Sequence, residues 1–145
     1  MPEFRALLDT NVVVAAHRST APGSPNREVL SRWKSGEFVL LHSDDVLLEY
    51  IGKLVEHGVD RATIRQLIRS VLHAGERVAI RFFHLRRYPA DVDDIVILLC
   101  AINGSATHLV TYDAGFEPFS GEFGFAVCEP LEFLRELRAA QVTGS

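Results

Sequence analysis

Short runs of apolar residues alternate with amphipathic segments along this chain. Five of the runs have the length and pattern of buried strands, and most are followed by a segment with helical spacing. The predicted strands cover residues 4–8, 38–41, 78–83, 109–111 and 125–128. Strands that alternate with helices predict an α/β fold, in which two layers of helices enclose a mainly parallel central sheet in a three-layer α/β/α sandwich.

Helix signals separate the predicted strands. Thr10 or Asn11 is a suitable N-cap for a first helix over 12–16, although three consecutive valines there would also suit a continuing strand. Pro25 suits the first turn of a helix that ends near Trp33. Further helices are predicted after Ser43, after Asp60, over 92–102, and from Pro130 to about residue 140.

The composition is that of an ordinary globular protein. The chain has 145 residues, 48% of them hydrophobic, which predicts a single domain over 1–145 with its own core. No apolar run approaches the roughly 20 residues that span a bilayer, and the N-terminus lacks a signal-peptide pattern, so we expect a cytoplasmic protein without membrane association. Cys100 and Cys128 form no CxxC pair and are expected to be buried thiols. The six histidines show no paired ligand spacing, which favours surface or capping positions over zinc binding.

The formal net charge of −4 argues against passive nucleic-acid binding, which requires a basic surface. It does not argue against an enzyme whose carboxylates hold divalent cations, because the ions reverse the local field. Arg61, Arg65 and Arg69 recur every four residues on one predicted helix. Such a stripe is usually a solvated face, and the alternative is contact with phosphate or with an acidic partner.

Two aspartates, Asp9 and Asp113, each come just after a predicted buried strand or at its end. In an open parallel sheet, ligands bind outside the carboxyl ends of the strands. Either residue alone could simply cap the following helix. Because both occur at the same kind of position, we interpret them as parts of one site.

Asp91, Asp93 and Asp94 begin a segment that is otherwise apolar. Acidic residues suit helix N-termini, and Asp91 is a natural N-cap there. Three acids within four residues exceed what a cap requires, and a bound cation would relieve their repulsion. Glu49, by contrast, does not share the buried face of its predicted helix, and its spacing alone indicates a solvated side chain.

These segments together resemble the PIN domain family over roughly residues 4–134. The matching segments are Leu7-Leu8-Asp9-Thr10-Asn11-Val12, Leu47-Leu48-Glu49, Asp91-Val92-Asp93-Asp94 and Leu109-Val110-Thr111-Tyr112-Asp113. The resemblance is greatest to bacterial PIN proteins that are toxins of VapC-type toxin–antitoxin pairs. Two positions depart from the family pattern: Tyr112 replaces a small residue, and Val92 stands where proline is common.

The resemblance implies a set of site residues. Catalytic and metal-binding roles are implied for four acids, and supporting roles for three polar residues around them. The acids are Asp9, Glu49, Asp94 and Asp113, with Asp91 as an alternative ligand in the third motif; the supporting residues are Thr10, Asn11 and Thr111. The implied cofactor is Mg²⁺ or Mn²⁺, which are hard ions that prefer oxygen ligands. No residue is assigned to RNA binding.

The implied activity is metal-dependent hydrolysis of RNA that leaves a 5′-phosphate and a 3′-hydroxyl. The implied partners are an RNA substrate, a cognate antitoxin protein and a second copy of the chain. The apolar stripe of the last predicted helix could take part in such association, although covering the sheet is the more ordinary role. That stripe comprises Leu131, Phe133, Leu134 and Leu137.

Two other functions remain open from the sequence. One is a degenerate PIN domain that binds RNA or protein without catalysis, and metal binding would distinguish it from an enzyme. The other is an aspartate-based phosphatase with Asp9 as nucleophile. That chemistry normally requires a second aspartate two residues later, and Asn11 occupies this position.

Overall fold

Five parallel strands form the centre of the structure, a computed structural model that describes residues 4–143. They are β1 (Arg5–Leu8), β2 (Val39–His42), β3 (Glu76–Arg77), β4 (His108–Val110) and β5 (Ala126–Cys128). The order across the sheet is β3-β2-β1-β4-β5, and every neighbouring pair is parallel. All the strands therefore end along the same edge of the sheet, and the longest strands, β1 and β2, lie in its interior.

Helices cover both faces of this sheet. They are α1 (Thr10–Arg18), α2 (Pro25–Lys34), α3 (Asp44–Glu56), α4 (Arg61–Ala74), α5 (Val92–Asn103), α6 (Pro130–Thr143) and a 3₁₀ helix over Ala114–Phe119. Helix α2 contacts α1 and α6, and α6 lies on β4, whereas α3 contacts α4 and α5, which both lie on β2. Helices α1 and α3 also contact each other. This arrangement confirms the predicted three-layer α/β/α sandwich.

The start of α1 differs from the prediction. Asp9, rather than Thr10 or Asn11, is the N-cap: its backbone is extended and its carboxylate accepts a hydrogen bond from the Thr10 N–H. The three valines that could have continued the strand are helical and at most 7% exposed. Their burial in the core outweighs the small helix penalty of β-branched side chains.

The third strand was predicted over 78–83, but β3 covers only Glu76–Arg77. Its neighbour β2 ends at His42, where Ser43 caps α3, so no strand remains to pair beyond Val78. The next backbone groups bond instead to the Asn103 side chain, whose oxygen accepts from the N–H groups of residues 81 and 82. Sheet pairing depends on the length of the neighbouring strand, which the local apolar pattern does not report.

Two of the six histidines are buried, contrary to the expectation of surface or capping positions. His42 is 1% exposed at the end of β2, and His108 is 5% exposed in β4. The ring of His108 contacts Thr107 and Glu136 through its two nitrogens. Both cysteines are free and buried, as predicted.

The apolar stripe of α6 serves mainly to cover the core. Phe133, Leu134 and Leu137 are at most 2% exposed, and only Leu131, at 47%, faces outward. Most of the stripe is therefore not a surface for a second protein. Within residues 4–143 no helix combines the length and apolarity required to cross a bilayer.

Tyr50 connects α3 to the central strand. Its side chain is 1% exposed, and its hydroxyl donates a hydrogen bond to the Leu8 carbonyl at the end of β1. This bond holds the helix that carries Glu49 against the strand that precedes Asp9.

We expect Tyr50→Phe to lower the free energy of unfolding by about 1 to 2 kcal/mol, because the buried Leu8 carbonyl loses its donor. Tyr88→Phe is the matched control, since Tyr88 is 52% exposed, and its effect should stay within about 0.5 kcal/mol. Urea denaturation of the three proteins measures both changes. Equal effects of the two substitutions would contradict the role given to the Tyr50 hydroxyl.

Candidate active site

A cavity of about 800 Å³ opens at the edge of the sheet where β1 and β4 end. Its walls come from α1, α3, the start of α5 and the segment after β4. Six carboxylates line it: Asp9, Glu49, Asp91, Asp93, Asp94 and Asp113. Residues separated by more than 100 positions in the chain therefore meet in one concave space, which is the usual place for a ligand in an open parallel sheet.

Thr111 links the two aspartates that follow the strands. Its hydroxyl donates to Asp9 Oδ2 at 2.6 Å and accepts from the Asp113 N–H at 2.9 Å. The other Asp9 oxygen accepts from the Thr10 N–H at 2.8 Å. Asp113 also caps the 3₁₀ helix through the Gly115 N–H. Capping and a position in the cavity are thus compatible, because each carboxylate oxygen has two lone pairs.

Asp91 and Asp94 have different environments. Asp91 is exposed and caps α5, with its carboxylate accepting from the Asp93 N–H at 3.0 Å. Asp94 is half-buried and lies close to Asp113 and Asp9. Burial raises the pKa of Asp94 to about 7, and the neighbouring carboxylates of Asp113 and Asp9 add to the rise.

The charged forms of the Asp9 and Glu49 carboxyls are also disfavoured. Burial raises the pKa of Asp9, which is 6% exposed, while its hydrogen bonds from Thr111 and Thr10 act in the opposite direction. Burial and then the charge of Asp93 raise the pKa of Glu49. Glu49 is half-buried and lines the cavity, so it lies beside the other carboxylates and is less exposed than its spacing alone indicated.

The other predicted site residues contribute unequally to this network. Thr10 lines the cavity and contacts Asp9 through its backbone N–H, whereas Asn11 lines the cavity from an exposed position. The side chain of Tyr112, which replaces a small residue of the family pattern, is 44% exposed and donates to Asn26 Oδ1 at 2.9 Å. Asn26, rather than Tyr112, lines the cavity.

The donor set fits a hard divalent cation chemically. All the candidate ligands are carboxylate oxygens, and their crowding raises pKa values in a way that a bound cation would reverse. Among residues 4–143, no three His, Cys, Asp or Glu side chains are close enough together to hold a metal ion by themselves. Mg²⁺ does not require three such side chains, because it keeps several waters and uses one or two carboxylates.

Sequence reasoning missed the basic side chains of the cavity. Arg18, Lys53 and His57 line it together with the carboxylates. Helical spacing from the recognised site residues could have found them: Arg18 lies seven residues after Asn11 on α1, and Lys53 lies four after Glu49 on α3. Asp93 was noted as part of the acidic cluster without being assigned to the site.

The PIN domain family model matches residues 5–115, a range that contains all six carboxylates of the cavity. A crystal structure of VapBC2 from Rickettsia felis, bound to a DNA fragment from their promoter, is similar to this chain with a TM-score of 0.56. The match has 18% sequence identity and covers 87% of this chain and 98% of that chain, which shows a shared fold. No curated protein matches the chain significantly.

The raised pKa of Asp94 predicts how the stability of the metal-free protein depends on pH. In the unfolded chain the carboxyl has its ordinary pKa of 3.8, so the native state holds its proton up to about pH 7 while the unfolded state releases it. The contribution of this carboxyl to the free energy of unfolding is therefore fully present below pH 3.8. It is lost as the pH rises from 3.8 through about 7. In EDTA, the Tm of Asp94→Asn minus that of wild type should grow from near zero at pH 4 to a positive plateau above pH 7.

Asp45→Asn provides the control for this comparison, because Asp45 is exposed on α3 outside the cavity. Its Tm difference from wild type should show no rise to a positive plateau, since Asp45 lacks the crowding by other carboxylates in the cavity. If the Asp94→Asn difference also shows no rise, the crowding of carboxylates does not destabilise the apo protein.

Proposed function

This chain belongs to the PIN domain family, and we propose that it is a Mg²⁺- or Mn²⁺-dependent endoribonuclease that acts as the toxin of a toxin–antitoxin pair. The observation that carries the proposal is the cavity of six carboxylates at the strand ends. A carboxyl with a pKa near 7 beside two others is costly in a protein that never binds a cation.

Asp9, Asp94 and Asp113, with Glu49 across the cavity, are the residues that would hold the metal. When bound, Mg²⁺ or Mn²⁺ would activate a water for attack on phosphorus and stabilise the leaving oxygen. Thr111 and the Thr10 N–H orient the Asp9 carboxylate through the hydrogen bonds described above. Asp91 serves mainly as the cap that begins α5 and so sets the position of Asp94.

The proposed partners follow from the same activity. The solved relative is a VapBC2 complex, which supports an antitoxin as partner of this chain. We also expect a homodimer, formed through a surface other than the buried stripe of α6. An RNA substrate and an antitoxin would both be met in the cytoplasm, where we expect the protein to act.

The direct test is cleavage of single-stranded RNA by the purified full chain. We expect cleavage with Mg²⁺ or Mn²⁺, complete loss in EDTA, and products that carry 5′-phosphate and 3′-hydroxyl ends. RNA binding with no cleavage in either metal would favour the degenerate binding module instead. Mn²⁺ binding away from the cavity carboxylates would contradict the enzyme proposal altogether.

Asp94→Asn should lower the cleavage rate by about 10²-fold or more, because the amide keeps the shape of the side chain but loses the charge that attracts the ion. Asp91→Asn is the matched variant, and asparagine is also a good N-cap, so its effect should be much smaller. Mn²⁺ titration and melting curves separate metal loss from unfolding. The reverse order of effects would assign the third-motif ligand to Asp91.

Thr111→Val tests whether the Thr111 hydroxyl positions the Asp9 carboxylate. It removes the donor to Asp9 and the acceptor for the Asp113 N–H, so we expect Mn²⁺ affinity to fall by about 10- to 100-fold. Thr111→Ser keeps the hydroxyl and should retain most of the affinity. Isothermal titration calorimetry gives both constants, and unchanged affinity in Thr111→Val would exclude a role for Thr111 in positioning the ligand.

A further inference from the structure

The cavity has a basic side as well as an acidic one. Asp9 precedes α1 and Arg18 ends it, so the cavity follows the whole length of that helix. On α3, Glu49 and Lys53 line the cavity at intervals of four residues, and His57 continues the series at the C-cap. Eight residues of helix rise about 12 Å, which is the distance along α1 from Thr10 to Arg18 and along α3 from Glu49 to His57, with Lys53 halfway between.

Arg18 and His57 contact each other at this basic side. Arg18 Nη1 lies 3.3 Å from His57 Nδ1. Because a guanidinium only donates, Nδ1 accepts, and the ring proton lies on Nε2, where it is available as a donor. No carboxylate forms an ion pair with Arg18 within residues 4–143, which is equally true of seven other arginines there. What distinguishes Arg18 is its position in the lining of the cavity.

Lys53 adds a second positive charge. It pairs with Glu56 at 3.2 Å, but the two side chains are 44% and 63% exposed. Exposed pairs of this kind contribute little to stability, so the ammonium can exchange Glu56 for a ligand.

The ordinary explanation of such cations is the helix dipole. Arg18 and Lys53 lie in the last turns of α1 and α3, where positive charge is favourable. The dipole explains the sign of the charge. It does not explain why cations from two different helices open into one cavity.

A polyanionic substrate supplies that explanation. RNA affinity comes largely from contacts with phosphates, yet this chain has a net charge of −4 and its cavity holds six carboxylates. A cation at the acids would attract only the phosphate being cleaved. Another phosphate of the same strand requires its own positive partner.

We propose that Arg18, together with His57 and Lys53, binds a backbone phosphate of single-stranded RNA a few nucleotides from the cleaved bond. This inference rests on the proposed ribonuclease function. The helix rise of about 12 Å between the two sides is too long for one phosphate to reach both, so the phosphate at Arg18 is a different one from the phosphate that is cleaved. Arg18 is thus a residue that positions substrate and does not take part in the chemical step.

The test is single-turnover cleavage of an RNA oligonucleotide whose cleavage position has been mapped, with Mn²⁺ and the full chain. Arg18→Ala should raise the half-saturating protein concentration by about tenfold or more, because it removes a charge-assisted hydrogen bond. The maximal rate should change little. The slope of log affinity against log salt concentration should decrease by about 0.7, the value for one phosphate contact on a single strand.

A neutral methylphosphonate placed at successive positions of the oligonucleotide locates the contact. At one position, a few nucleotides from the cleaved bond, it should weaken binding to wild type and have no further effect in Arg18→Ala. If the loss of affinity from the methylphosphonate and the loss from Arg18→Ala add at every position, Arg18 does not contact a defined phosphate and the proposal is wrong.

Arg135→Ala is the control, since it removes the same charge from an exposed position on α6 outside this cavity. An equal effect of Arg135→Ala would show a general charge effect and overturn the proposal. Melting curves exclude unfolding of either variant. If wild type cleaves RNA and Arg18→Ala binds and cleaves it equally well, this inference alone is refuted. If wild type fails to cleave RNA with either metal, both the proposed function and this inference are refuted.

Discussion

The buried carboxylate of Asp9 is the constraint on which the rest of this structure depends. It lies where the central strand ends, 6% exposed, and burial disfavours its charge. The Thr10 N–H and the Thr111 hydroxyl compensate for the lost water. Thr111 reaches Asp9 only because β1 and β4 are adjacent and in register, with Leu8 opposite Val110. The pairing of β1 with β4 therefore also brings the site residues together.

The acids clustered around Asp9 lower the stability of the metal-free protein. Carboxylates that share a cavity repel each other, and the one with the strongest rise in pKa, Asp94, is half-buried between two others. The surrounding core tolerates this cost, since strands β1 and β4 and the buried faces of α3 and α5 are almost fully enclosed. A cation would relieve the repulsion, so ligand binding and folding stability are coupled.

Helices α1 and α3 connect the core to the cavity. One face of each helix is buried, with Val12 and Val13 on α1 and Tyr50 and Leu54 on α3. The opposite face lines the cavity and changes from acidic near the sheet to basic at the helix ends. Because α1 and α3 contact each other, charges from the two helices combine at both ends of the cavity.

The sequence by itself determined the alternation of strands and helices, the buried cysteines, and the placement of Asp9 and Asp113 after strands. These features follow from local periodicity and from the end positions of parallel strands, so short segments are enough to predict them. Asp91 as the cap of α5 is equally local. Glu49 was assigned to the site only through the family resemblance, because its own spacing indicated a solvated residue.

Only the tertiary structure decided which neighbours these residues have. The length of β3 depended on where β2 ends, and the burial of His42 and His108 depended on sheet packing. The raised pKa of Asp94 depended on its burial and then on the approach of Asp113. Arg18 and His57 meet across 39 positions of the chain because α1 packs on α3. Such contacts join distant segments, and the pattern within one segment carries no information about the distance to another.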